Sequence, residues 1–76
     1  MVTVRYWASA RQAAGVVEES IQAGTLAELR AALADRPELG RVCAACSYLV
    51  DGSQADADAT LPENAVVDVL PPFAGG

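Results

Sequence analysis

Few residues in this 76-residue chain are equipped for covalent or metal chemistry, since it contains no histidine and no lysine. Three groups stand out: the carboxylate of a terminal Gly75-Gly76, a Cys43-Ala-Ala-Cys46 pair, and the acidic run around Asp56 and Asp58. The terminus is the strongest candidate. An apolar stretch, Val66 to Leu70, runs into Pro71-Pro72 and then Phe73-Ala74-Gly75-Gly76. Proline fixes φ near −65° and removes an amide donor, so a strand must stop at Pro71 and the tail leaves the body at a defined point. At roughly 3.3 to 3.6 Å per residue, residues 71–76 would reach about 20 Å when extended. Glycines without Cβ atoms could pass a narrow channel, and the carboxylate is the group that offers chemistry there. The plain alternative is a frayed chain end, the usual condition of a terminus.

The other two groups are weaker. A Cys-x-x-Cys pair could cycle between dithiol and disulfide, but two buried small apolar side chains explain it more simply. A structural zinc site wants four ligands, and the chain has only the two cysteines and no histidine. Asp56 and Asp58 lack the glycine and distal glutamate of a calcium loop and read as a solvated acidic loop. No metal site is expected.

Composition narrows the class. Five arginines against ten acidic residues give a net charge of −5 and argue against nucleic-acid binding, which relies on cationic neutralisation of phosphates. That balance favours a basic partner surface. The hydrophobic fraction of 53% includes sixteen alanines, so a small, thinly cored single domain is expected. No apolar run approaches the ~18 residues of a membrane span, and the chain enters a strand pattern at once, so the expectation is no membrane segment, no signal peptide and a cytoplasmic location.

The elements that would position the terminus follow in order. Val2, Val4 and Tyr6 alternate with Thr3, Arg5 and Trp7, which predicts a strand with Trp7 on its polar face, either as a partner contact or as cover for the end of the core. Residues 8–14 suit a short helix with Ser9 as its cap and Gly15 ending it. Residues 16–23 make a second strand, antiparallel to the first, with Val17, Glu19 and Ile21 on one face. Thr25 and Glu28 form a capping box before a stripe of Leu26, Leu29 and Leu33, in a helix that should end at Arg36 before Pro37, with Arg36 left to solvent or its margin. Pro37 to Ala45 suggests a short helical turn. Cys46 to Val50, the turn Asp51-Gly52 and Ser53 to Ala55 read as a hairpin. Asn64 suits a left-handed turn position before the final strand, Val66 to Leu70, which should be central. One main helix on a mixed sheet of about five strands is a two-layer α+β domain over residues 1–70, with residues 71–76 as a flexible tail.

These residues together resemble a known family. The opening Val4-Arg5-Tyr6-Trp7-Ala8-Ser9-Ala10-Arg11, Gly15, the helix from Leu26, the Leu61 turn and above all Pro71-Pro72-Phe73-Ala74-Gly75-Gly76 are similar to the MoaD branch of the MoaD/ThiS sulfur carriers, the small subunits of molybdopterin synthase. The departures are Gln12 where the family usually has Glu, Leu70 where an aromatic is common, and Asn64 where a turn glycine is common. The resemblance implies a ubiquitin-like β-grasp fold and a chain that is not catalytic alone. It implies that an adenylating and sulfurating enzyme (MoeB-like) uses ATP to activate the Gly76 carboxylate, which is then converted to a thiocarboxylate. It further implies that a large synthase subunit (MoaE-like) receives that sulfur for the dithiolene of molybdopterin, in molybdenum cofactor biosynthesis. No cofactor is implied on the chain itself. Gly76 would be the reactive residue, with Gly75, Ala74, Phe73, Pro72, Pro71, Leu70 and Trp7 as tail and partner contacts. A sulfur carrier for a thiamine or cysteine pathway, a ubiquitin-like protein modifier and a plain docking module are the alternatives.

Overall fold

The computed structural model of the protein describes residues 1–72. Its elements run β1 (Val2–Tyr6), α1 (Ala8–Ala14), β2 (Glu18–Ile21), α2 (Leu26–Ala34), α3 (Pro37–Cys43), β3 (Ser47–Val50), β4 (Ser53–Gln54) and β5 (Val66–Leu70). The five strands form one mixed sheet in the order β2-β1-β5-β3-β4. The final strand is therefore central, parallel to β1 and antiparallel to β3. Its apolar character follows from that position, because a central strand has a neighbour on both sides and little contact with water.

Period-2 alternation decides which side chains enter the core. Val2, Val4 and Tyr6 of β1 and Val67 and Val69 of β5 point to the helical side, where they pack with Leu26, Leu29, Leu33 and Leu39. Thr3, Arg5 and Asp68 face the other way, and Arg5 lies beside Asp68 in the parallel register. The start of α2 follows its sequence signals: the Thr25 hydroxyl accepts from Glu28 N at 3.2 Å, and Glu28 Oε1 accepts from Gly24 N at 3.0 Å. The β3–β4 turn also conforms, with Asp51 at φ 49° and Gly52 at φ 85°, the two left-handed residues a tight hairpin requires. Asn64 adopts φ 67° as its turn demands.

Several expectations need correction. Ser9 does not cap α1; Trp7 occupies that position in an extended conformation, with no side-chain cap, and Ala8 begins the helix at φ 49°. The short β1–α1 connection forces this bend, because β1 must be left abruptly for α1 to reach α3. The second strand is trimmed to Glu18–Ile21, and Val17 lies beyond its end, 55% exposed. Helix α2 stops at Ala34, and Arg36 starts α3 rather than ending α2. At the solvent margin, its side chain 39% exposed, Arg36 donates to Glu19 Oε2 and to the Ala14 carbonyl, and Glu19 also accepts from the buried Tyr6 hydroxyl at 2.5 Å. Glu19 thus satisfies groups at the sheet margin.

The segment after Pro37 is a two-turn helix, Pro37–Cys43, with Leu39 and Cys43 buried. The strands flanking the hairpin are each shorter by one residue than their sequence patterns, β3 beginning at Ser47 and β4 ending at Gln54. The acidic loop has structural work in its backbone: the carbonyls of Ala57 and Ala59 accept from Ala27 N and Leu26 N at the head of α2. Asp56 and Asp58 themselves remain exposed.

Candidate functional site

Strand β5 delivers the chain to its exit. Leu70 is half-buried at the strand end, Pro71 is buried and Pro72 is exposed in a turn. The sheet ends at Leu70, as the missing proline amides require. Phe73, Ala74, Gly75 and Gly76, to which the sequence assigns the tail contacts and the reactive carboxylate, lie outside the described residues.

Beside this exit, on the sheet face opposite the helices, lies a side-chain cluster. Tyr6 pairs with Val69 in the parallel register, which brings the following Trp7 to the level of Leu70. The Trp7 indole, 38% exposed, donates from Nε1 to Asp68 Oδ1 at 2.9 Å. Arg5 grips the same carboxylate with a fork, Nε to Oδ1 at 2.7 Å and Nη2 to Oδ2 at 3.0 Å. The guanidinium carbons of Arg5 and Arg11 lie 5.8 and 5.6 Å from the Trp7 ring centre, within cation–π range. Arg11 is held there by a hydrogen bond from its Nε to the Tyr6 carbonyl. Asp68 is only 7% exposed, and Arg5, helped by the Trp7 indole, holds its carboxyl below the ordinary carboxylate range against the opposing effect of burial.

Sequence reading singled out Trp7 but passed over Asp68, Arg5 and Arg11 as a group. One signal was present: Asp68 interrupts an otherwise apolar strand, and a charge there must be paired if it is buried. Its partners could not be read, because they depend on β1 and β5 being parallel neighbours.

The cysteines behave as interior side chains. Cys43 is buried and Cys46 half-buried, and both are free thiols. Burial, with the neighbouring Cys43, pushes the Cys46 thiol up to about 12, and its Sγ donates to the Val42 carbonyl. A thiol so disfavoured as thiolate is a poor nucleophile. Among the described residues no three His, Cys, Asp or Glu side chains gather in a way that could hold a metal ion. An open depression of about 490 Å³ lies between α2 and the β3–β4 hairpin, lined by Leu26, Arg30, Tyr48 and Gln54 among others, and includes neither Trp7 nor Pro71.

Comparison with known proteins gives this arrangement its context. Residues 4–76 match the model of the ThiS family, from the middle of β1 through the terminal glycines. The chain belongs to the ThiS family. Among solved structures, this ThiS-family chain is similar to a Pyrococcus furiosus protein assigned as subunit 1 of molybdopterin converting factor, at 30% identity and TM-score 0.83, over 95% of this chain and 97% of that one. It is similar at 28% identity and TM-score 0.80 to a chain in the complex of subunits 1 and 2 of the Helicobacter pylori molybdopterin-converting factor, over 99% and 97% of the two chains. The small archaeal modifier protein 1 of Methanosarcina acetivorans has the same fold, with TM-score 0.85 at 23% identity over 99% and 95%. No curated protein sequence matches significantly. The fold is thus the ubiquitin-like β-grasp, and the relatives include subunit 1 of a molybdopterin converting factor and a chain of a complex of subunits 1 and 2 of that factor. Among the described residues, no helix is long and apolar enough to cross a membrane.

Proposed function

We propose that this chain is the sulfur-carrying small subunit of a molybdopterin synthase, and that Gly76 carries the sulfur. The observation that supports this most directly is the family match running unbroken to Gly76, in a chain whose central strand leads straight to the Pro71-Pro72 exit. The Helicobacter relative found with subunit 2 supports a large-subunit partner of the same kind. An α-carboxylate, with a pKa near 3.5, is ionised at neutral pH. On Gly76 it attacks the α-phosphate of ATP within an adenylating enzyme, releasing pyrophosphate and forming an acyl-adenylate. A persulfide sulfur on that enzyme displaces AMP, and reductive cleavage of the S–S bond by a thiol leaves the thiocarboxylate. Its sulfur is a soft nucleophile, delivered to the large subunit for construction of the dithiolene. Acid–base groups come from the partners, since this chain has neither His nor Lys. Leu70, Pro71 and Pro72 set the direction of the tail, Phe73 and Ala74 contact the receiving cleft, and Gly75 supplies clearance. The chain acts in the cytoplasm.

The test is intact mass after incubation with ATP, a sulfur donor and the activating enzyme. A gain of about 16 Da, sulfur replacing oxygen, is the expected result. Adducts with other proteins that survive reducing denaturation would favour a protein modifier instead, and an unchanged mass under competent conditions would refute the carrier reading.

A further inference from the structure

We propose that Asp68 is a positioning residue that locks Trp7 and Arg5 into a preset aromatic–cationic pad, and that this pad seats in an apolar socket with an acidic rim on the large subunit that receives the tail. The proposal rests on the sulfur-carrier reading above and adds to it the residue that organises the docking surface and the charge of the surface it meets.

The geometry argues for a built device. Both oxygens of Asp68 are engaged, Oδ1 by Arg5 Nε and the Trp7 indole, and Oδ2 by Arg5 Nη2. A carboxylate this buried must keep its donors, because a lone buried charge is strongly unfavourable. Each donor is thereby held in one orientation: the indole edge is anchored toward β5, and two guanidinium groups lie within cation–π range of its ring. Ring and fork are thus ordered before any partner arrives, and a side chain already fixed loses less entropy on binding. Tryptophan and arginine are also the residue types that most often dominate interfaces.

The charge of the pad departs from that of the chain. The protein carries −5 overall, yet two of its five arginines flank its one tryptophan. Asp68 compensates Arg5, and Glu18 lies beside Arg5 in the β1–β2 register. Arg11 forms no ion pair among the described residues and contributes the uncompensated positive charge. A basic partner surface suits the molecule as a whole, but at the tail exit the complementary surface is acidic. Its centre must be apolar to cover the exposed indole.

Because the chain has a single tryptophan, its indole N–H resonance reports the clamp without interference. The experiment compares wild type, Asp68→Asn, Asp68→Ala and Arg11→Gln by that resonance, by its hydrogen exchange and by the Kd for the purified large subunit of the same organism at several salt concentrations. Asp68→Ala should move the indole resonance toward its solvent-exposed value, speed its exchange, and weaken binding roughly tenfold. Asp68→Asn keeps an acceptor for the indole and should recover part of both effects. It also covers the case in which the alanine variant fails to fold. Arg11→Gln should leave the indole resonance in place while weakening binding and flattening its salt dependence.

Wild-type Kd in a folded Asp68 variant whose indole has been released would overturn the positioning role, leaving the carrier reading untouched. Wild-type binding that strengthens with added salt would overturn the acidic rim. Failure of the wild-type chain to bind the large subunit, or self-association through the pad in its place, would overturn the proposal together with the synthase reading on which it rests.

Discussion

Replacing Glu19 by Ala should destabilise the fold far more than its place on a four-residue edge strand suggests. Glu19 Oε2 accepts from the Tyr6 hydroxyl and from Arg36, and so joins β2 to the core of β1 and to the start of α3. Tyr6 is 0% exposed, so its hydroxyl sits away from water in the native fold and loses its acceptor when Glu19 is truncated. A buried donor left without a partner costs about 1–3 kcal/mol. Arg36 can turn to solvent, its side chain being 39% exposed, which limits the loss of the ion pair to less than about 1 kcal/mol. Together these give about 1–4 kcal/mol, and at about 4–8 °C per kcal/mol for a domain of this size a central loss of about 2 kcal/mol lowers Tm by roughly 8–16 °C. Thermal melts followed by far-UV circular dichroism, with urea titrations beside them, measure it. Glu19→Gln retains an oxygen acceptor and should cost less. Tyr6→Phe combined with Glu19→Ala should show a coupling of at least about 1 kcal/mol. The pH dependence has a definite sign. Burial alone would raise the Glu19 carboxyl, but the hydrogen bonds from Tyr6 and Arg36 and the charge of Arg36 outweigh it and hold it below the ordinary range. Its contribution is therefore complete above the ordinary carboxylate pKa of about 4.5 and is lost as pH falls through the lowered folded value. Glu19→Ala should flatten part of the acid limb of stability. A variant within about 0.5 kcal/mol of wild type, with an unchanged acid limb, would refute the argument.

Gly40→Ala should destabilise by about 1–3 kcal/mol, read from the urea midpoint, because a Cβ at Gly40 would lie 2.6 Å from the Ala34 carbonyl oxygen and force α3 away from α2. Gly75→Val should block formation of the acyl-adenylate, measured by ATP–pyrophosphate exchange with the activating enzyme, while leaving Tm within about 1 °C; normal exchange would count against a narrow channel. Deleting Gly76 should abolish the gain in mass without lowering Tm, since glycine buries no side chain. Replacing Cys43 and Cys46 together by Ala should leave sulfur transfer intact at a stability cost of about 1 kcal/mol for the small cavity at Cys43, and an inactive but folded protein would restore the dithiol reading.

The sequence carried the local decisions of this chain. Alternation marked Val2, Val4 and Tyr6 as the inward face of β1, Thr25 with Glu28 marked the start of α2, and Asp51-Gly52 and Asn64 marked two turns, because each depends on residues within a few positions of one another. The proline pair at 71–72 ended the last strand for the same reason. The terminal Gly75-Gly76 and the residues before it were enough to recognise the family, and with it the fold.

Interactions between distant segments could not be read in this way. Nothing local to Arg36 or Glu19 shows their pairing, since neither side chain reveals that the other lies nearby. The acidic loop concealed its structural role in the carbonyls of Ala57 and Ala59, where side-chain identity says little. Asp68 was overlooked because a lone carboxylate in an apolar strand gains its meaning from Arg5 and Trp7, more than sixty residues away in the chain. Sequence thus determined the elements and the candidate reactive end; the parallel pairing of β1 with β5 decided what surrounds the exit, because that pairing brings a buried charge and its donors within hydrogen-bonding distance.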